Sequence, residues 1–347
     1  MRLMHVMAGA KEGGAENIML ESVLALAEMD GVEQRVVTRP DNRHRIEEFE
    51  KAGITVDTAS FDNLWRLPTD QVLKRAIKDF QPDLIEYWMG RAGTYAPRAY
   101  KRRQIGWYGG YYKLQRFTNC DWHVGLTKDL CRHICEQGVP QDRIGLIHTT
   151  ADFENTAPVD RASLQTPEDA PVMLALARLH WKKGLDVLLE ALADLPGHYA
   201  WIAGEGPLEM DLKEQAEKLG VADRAKFLGW RNDRGALLAA CDVVAFPSRY
   251  EPFGTVTVDA WAAKRPLVAA DAVGPAAYVK HGENGLLVPK DDVDAFREAI
   301  RRVAEEDGLA EKLVAGGTET YQATFTKAAF QRDSMAFYEK ILAAVKA

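Results

Sequence analysis

The sequence predicts an α/β protein made of two doubly wound domains, each a parallel sheet with helices on both faces. Three observations carry that prediction. Apolar runs of strand length alternate with amphipathic helical patterns along most of the chain. A polar stretch holding Pro158, Pro167 and Pro171 interrupts the alternation once, near the middle. A length of 347 residues suits two cores better than one.

In the first half, Leu3 to Ala8 reads as a strand and Glu16 to Met29 as an amphipathic helix after a glycine turn. Gln34 to Thr38 and Thr55 to Asp57 read as strands, and Asp70 to Phe80 as a helix. Asp83 to Trp88, Gln104 to Tyr108 and Trp122 to Gly125 are further strands. Thr127 to Gln137 is a helix closed by Gly138, and Ile144 to Ile147 a strand. The pattern lapses from Asn155 to Pro171, the expected linker.

The alternation then restarts. Val172 to Ala177, Tyr199 to Ala203, Ala225 to Leu228, Ala239 to Phe246, Pro266 to Ala269 and Gly285 to Val288 read as strands. Gly184 to Ala193, Pro207 to Leu219, Asp233 to Ala240, a segment opening at Thr255, Val293 to Glu306, Ala310 to Gly316 and Lys327 to Val345 read as helices.

Composition narrows the function classes. Hydrophobic residues make up 47% and charged residues 27%, as in a globular protein, and the net charge of −7 argues against general nucleic-acid binding. No apolar run approaches the roughly 20 residues that span a bilayer. The Met1–Met7 stretch is too short for a signal peptide, so a cytoplasmic location is expected. The four cysteines form no C-x-x-C pair and read as reduced packing residues. Asp292-Val293-Asp294 reads as a helix cap rather than a metal ligand set.

The segment from Pro247 to Asp259 is the most informative. An apolar run ends at Pro247, Gly254 frees the backbone to bend, and a helix opens at Thr255 with exposed N–H groups suited to a phosphate. Glu251 and Asp259 flank the turn, eight positions apart. A carboxylate beside a phosphate site suits hydroxyls, so the ligand expected is one bearing both groups, such as a nucleotide sugar. Arg178 and Lys183 follow another strand, where two cations can neutralise a departing diphosphate; taken alone they could equally be surface charge. Gly13 and Gly14 open a helix after the first strand but lack the G-x-G-x-x-G spacing of a dinucleotide site.

These residues together resemble the retaining GT-B glycosyltransferases, particularly glycosyltransferase family 4. Glu251 and Asp259 match its E-x7-E signature, with Asp in the second place, and Arg178 to Gly184 resembles its R-x4-K-G element. The resemblance implies two Rossmann-like domains facing across a cleft: an acceptor domain over 1–157, a nucleotide-sugar domain over 158–326, and a final helix over 327–347 crossing back to the first. It implies that Glu251, Arg178 and Lys183 are catalytic. It further implies a donor site made by Gly13, Gly14, Gly204, Trp230, Arg231, Phe253, Gly254, Thr255, Val256 and Asp259, with Asp259 on the ribose. The donor expected is a UDP- or GDP-sugar, no obligatory metal or other cofactor is expected, and the acceptor would be a glycan or lipid-linked glycan of the cell envelope, as in lipopolysaccharide or polysaccharide synthesis. Two alternatives stand beside this reading: a nucleotide-sugar-binding protein that has lost transfer, and another Rossmann-like enzyme such as a sugar-nucleotide epimerase.

On the acceptor side, Glu16, Trp107, Tyr108 and Arg91 are candidates. Trp107 or Tyr108 stands where many family members carry a histidine. Residues 87–120 hold seven cations, eight aromatics besides Tyr87, and no acid. Strand core accounts for part of that stretch; the rest suits an anionic acceptor or peripheral contact with anionic lipid at the inner face of the cytoplasmic membrane.

Overall fold

A computed structural model describes residues 1–9, 13–62, 66–153 and 156–346. The chain divides into two compact units, one of Met1–Thr150 with Lys327–Ala347, the other of Ala151–Thr326.

The first unit holds a seven-stranded sheet of β1 (Arg2–Met7), β2 (Glu33–Thr38), β3 (Thr55–Thr58), β4 (Leu84–Trp88), β5 (Gln104–Tyr108), β6 (Trp122–Gly125) and β7 (Ile144–Leu146), in the order β3-β2-β1-β4-β5-β6-β7. Every pairing is parallel. Parallel strands need crossovers, and the helices α1 (Gly14–Ala27), α2 (Arg43–Lys51), α3 (Leu67–Phe80), α4 (Met89–Gly93) and α5 (Lys128–Glu136) supply them. Strands β4, β5 and β6 are buried at every residue, so they do not alternate between apolar and polar positions, and each carries one buried polar side chain, Glu86, Gln104 or His123.

The second unit repeats the plan with β8 (Val172–Leu176), β9 (Tyr199–Ala203), β10 (Ala225–Gly229), β11 (Val243–Phe246), β12 (Leu267–Ala270) and β13 (Leu286–Val288) in the order β10-β9-β8-β11-β12-β13. Its helices are α6 (Leu185–Ala193), α7 (Glu209–Lys218), α8 (Arg234–Ala240), α9 (Thr255–Ala262), α10 (Val273–Ala276), α11 (Val293–Glu305) and α12 (Leu309–Thr324). Leu188, Leu189 and Leu192 of α6, Ile202 of β9 and Phe296 and Ile300 of α11 belong to its core. Asp292 caps α11, its carboxylate accepting from the Ala295 N–H at 2.8 Å.

The last helix, α13 (Lys327–Lys346), belongs to the first unit. Its Tyr338 hydroxyl donates to Glu86 at 2.8 Å, and the same carboxylate oxygen accepts from Trp107 Nε1 at 2.9 Å. The other Glu86 oxygen lies 2.9 Å from His5 Nδ1. A buried carboxylate without donors would cost several kcal/mol, so this convergence ties helix and sheet together. Gln331 adds a bond to the Ala25 carbonyl at 2.7 Å, and Arg102 one to the Ala344 carbonyl at 2.8 Å.

Two details differ from expectation. The units divide between Thr150 and Ala151, against an expected boundary at 157. The Tyr321 hydroxyl holds the Ala151 carbonyl at 2.7 Å, and the Arg234 guanidinium lies 5.2 Å from the Phe153 ring, contacts that tie these residues to the second unit. Asn155, the expected start of the linker, lies outside the described residues. Ala239 and Ala240, which the sequence reading placed in both a helix and a strand, close α8, and the strand begins only at Val243, because a short apolar run does not distinguish a buried helix end from a strand.

Candidate functional site

In an open parallel sheet, ligands bind beyond the carboxyl ends of the strands where the winding reverses. In the second unit that point lies between β8 and β11, which pair at Val243↔Met173 and Val244↔Leu174. The loops leaving these two strands carry Arg178–Gly184 and Pro247–Gly254.

These loops are fastened to each other. The Arg249 and Tyr250 N–H groups both donate to the Lys182 carbonyl, at 2.8 and 3.2 Å. Arg249 Nη1 donates to the Trp181 carbonyl at 2.8 Å, the guanidinium grips Asp186 at 2.8 and 2.6 Å, and Nε meets Asp291. Gly184 adopts φ 62°, and a methyl group there would overlap the Pro247 carbonyl, so only glycine fits. The result brings Lys183 Nζ onto the Glu251 carboxylate, with the two side chains 25% and 16% exposed. Arg178 is exposed nearby in sequence, with no ion-pair partner among the described residues.

Gly254, at φ 86°, is the N-cap of α9, and no side chain caps that end. The N-terminal N–H groups of α9, beginning at Thr255 and Val256, therefore remain for a ligand or water. Phe253 is buried, edge-on to Tyr278 at 5.9 Å, which anchors the turn from behind. Asp259, one turn further on, is 5% exposed and lies 3.7 Å from Arg234. Burial raises its carboxyl above the ordinary range, and Arg234 opposes that.

The neighbouring loops close the rim. Gly204 sits at φ 150° against the Ala177 carbonyl, and its N–H donates to the Gly229 carbonyl at 2.8 Å. Trp230 is half-buried, its Nε1 donating to Asn232 at 3.0 Å. Arg231 pairs with Asp233 at 2.7 and 2.6 Å, a hydrogen-bonded contact that holds the Asp233 carboxyl below its usual range.

In the first unit the corresponding reversal lies between β1 and β4. Gly13 and Gly14 begin α1 there, and the Glu16 carboxylate folds back so closely that a side chain at Gly9 or Gly13 would strike it. Met89, after β4, takes φ 69°, an unusual conformation for methionine at a loop of this kind. Arg91 of α4 is exposed.

Trp107 and Tyr108, expected to face an acceptor, lie in the core at 2% and 0% exposure. Strand β5 is covered on both faces, so neither side chain reaches a strand-end site. Trp107 stacks on Trp88 at 4.1 Å and donates to Glu86; Tyr108 packs on Phe117 at 4.5 Å, its hydroxyl without a hydrogen-bond partner among the described residues. The basic and aromatic residues of 87–120 separate in the same way. Arg91, Arg98, Lys101, Arg102, Arg103, Lys113 and Arg116 are exposed, while Tyr87, Trp88, Tyr95, Trp107, Tyr108 and Phe117 are buried.

Sequence reasoning passed over Arg249, although it stands inside the quoted segment. Its signal would have been a cation beside Glu251 with Asp186 at the head of a neighbouring helix. It also assigned nothing to Trp181, Lys182 and Tyr250.

Two parallel-sheet Rossmann-like domains, each with loops gathered at its reversal point, define the GT-B architecture. Anabaena HepE, solved in complex with UDP-glucose, has the same fold: TM-score 0.84, 23% identity, covering 98% of this chain and all of that one. The pattern described as glycosyl transferases group 1 matches residues 157–320. Two lipopolysaccharide core biosynthesis glycosyltransferases of Rhizobium meliloti (strain 1021) are each 34% identical: LpsD over 95% of both chains, and LpsE over 95% of this chain and 96% of its own. The chain belongs to the group 1 glycosyltransferases.

Proposed function

We propose that this protein is a retaining glycosyltransferase that moves a sugar from a UDP- or GDP-sugar to a glycan or lipid-linked glycan in lipopolysaccharide core synthesis. The observation that carries it is the Lys183–Glu251 pair beyond the carboxyl ends of β8 and β11, beside the uncapped start of α9. Glu251 and the backbone N–H groups of Phe253 and Gly254 hold the sugar hydroxyls. N–H groups at Thr255 and Val256 receive the diphosphate, and Asp259 takes the ribose. Gly204, Trp230 and Arg231 line the nucleotide side. Arg178 and Lys183 stabilise the departing diphosphate as the glycosidic C–O bond breaks. The acceptor hydroxyl forms the new bond from the same face and yields its proton to the released diphosphate. No metal is required, since cationic side chains and a helix terminus supply the charge.

Gly13 and Gly14 serve the donor, and Glu16 and Arg91 the acceptor. The names of the two Rhizobium relatives support a core-oligosaccharide acceptor. Among the described residues no helix is long and apolar enough to cross a membrane. The exposed cations of 91–116 support peripheral contact with anionic lipid at the inner membrane face, each properly placed cation contributing about 1 kcal/mol.

Thermal melting with UDP, GDP, ADP and NAD tests the reading. Nucleotide at about 100 times its dissociation constant adds roughly 2.7 kcal/mol. Stabilisation by UDP or GDP is the expected result, and stabilisation by NAD alone would overturn it.

A further inference from the structure

Beside Lys183 and Glu251 stands a group that the donor chemistry leaves unused. Trp181 is 56% exposed and Tyr250 43%, among the most exposed large apolar side chains described. Lys182 lies between them, its Nζ 4.5 Å from the Tyr250 ring centroid and 6.0 Å from that of Trp181. Lys182 has no carboxylate partner among the described residues.

A single exposed aromatic residue is ordinary. This group differs because its backbone is immobilised. The Trp181 carbonyl is held by Arg249, the Lys182 carbonyl by two N–H groups, and the Lys182 N–H by His180 Nδ1 at 3.3 Å. The Lys183 N–H returns to the His180 carbonyl at 2.8 Å, and Gly184 admits no side chain. Two rings and a cation are thus presented to solvent by a frame that pays little further ordering on binding. Trp and Tyr offer flat apolar faces at low entropic cost, and the C–H face of a sugar ring is their natural complement. Lysine adds a compact point charge for an anion. An acceptor must come up against the donor sugar held by Glu251, and Trp181 lies in the same single turn as Lys183.

We propose that Trp181, Lys182 and Tyr250 form an acceptor subsite for an acid-bearing sugar, its ring lying on the aromatic faces and its carboxylate or phosphate at Lys182. The proposal rests on the donor reading of the Lys183–Glu251 site. The test is isothermal titration of the whole chain, with UDP present, using trigalacturonate, a phosphorylated maltotriose and neutral maltotriose. One or both acidic trisaccharides should bind at least about 10-fold more tightly than maltotriose, and whichever does identifies the anion. Trp181→Ala should weaken every saccharide by a similar factor, with Trp181→Phe restoring most of it. Lys182→Gln should erase the acid preference and leave maltotriose unchanged. Melting shifts with UDP should be the same in all variants. Absence of saccharide binding to the wild type, absence of an acid preference, or variants that bind as the wild type does would overturn the proposal. A wild type that ignores UDP yet keeps the acid preference would sink the donor reading and leave the subsite standing.

Discussion

The Lys183 ammonium rests on the Glu251 carboxylate, joining residues 68 positions apart across the point where the second sheet reverses. Each group neutralises the other while both remain partly open to solvent. A bound sugar diphosphate would offer both a better match: phosphate oxygens for the ammonium, hydroxyl donors for the carboxylate. On the proposed reading the pair must open for the donor to bind, which would free the Lys183 charge for the leaving group.

Lys183→Ala should lower kcat about 10²–10³-fold, the usual consequence of losing one group that stabilises developing charge. Glu251→Gln keeps the shape but turns one of two acceptor oxygens into an NH2 donor, so sugar hydroxyls lose a partner and donor KM should rise more than in Lys183→Ala. The double variant should fall well short of the product of the single effects, because each single change already dissolves the pair. Steady-state kinetics with saturating acceptor reads all three. Full transfer activity in either single variant would remove these residues from the mechanism.

Gly184 and Gly220 share a positive φ, 62° and 68°, but a side chain at Gly184 meets the Pro247 carbonyl, whereas Gly220 has nothing within 4 Å. Gly220→Ala should cost about 1 kcal/mol, the conformational part alone. Gly184→Ala should cost at least about 2 kcal/mol, or a fall in Tm of roughly 4–8 °C, and should lower activity because the Lys183 loop must move. Equal melting temperatures would show that the loop yields freely.

The strands were legible and the site only in part, for physical reasons. Gln104–Tyr108, Trp122–Gly125 and Tyr199–Ala203 match the sequence reading at both ends, because strands buried on both faces are mostly apolar. Helix α2 escaped notice, since RHRIEEFEK carries only Ile46 and Phe49 as apolar residues. The same burial that revealed β5 concealed the fate of its side chains. A run buried at every position carries no mark of which residue faces a ligand, and Trp107 and Tyr108 lie in the core. The meeting of Lys183 with Glu251 is a long-range fact that no local spacing contains. Only resemblance to a family brought the two motifs together beforehand.

Asp259 and Arg234 make the second pair worth dissecting. Arg234→Met should destabilise the protein by about 1–3 kcal/mol, leaving a buried carboxylate without its cation. With Arg234 gone, the folded state favours the protonated acid more strongly than the unfolded chain does. The deficit relative to wild type should therefore grow as pH rises through the carboxylate range and shrink on acidification. Denaturant midpoints at pH 4.5, 6 and 7.5 measure it. A deficit independent of pH would assign the loss to packing of Arg234 on Phe153 instead.

His123 gives the clearest pH dependence. It is 2% exposed on β6, edge-on to Tyr108 at 5.8 Å and Phe117 at 6.4 Å, with no hydrogen-bond partner at Nδ1 among the described residues. Burial pushes its pKa down to about 4 from an ordinary 6.5. Between those values the unfolded chain binds a proton that the folded protein refuses, so stability must fall as pH drops through this window. At about 1.4 kcal/mol per unit, the loss from pH 7 to 4 is about 3 kcal/mol. His148, also held down by burial, contributes in the same direction. His123→Leu removes the first contribution, together with the imidazole's hydrogen bond to the Cys120 backbone. Its urea midpoint should therefore decline less on acidification than that of the wild type, with the two curves converging toward pH 4. Parallel curves would mean that His123 takes up its proton inside the folded protein, and that the space around it opens to water more readily than its packing implies.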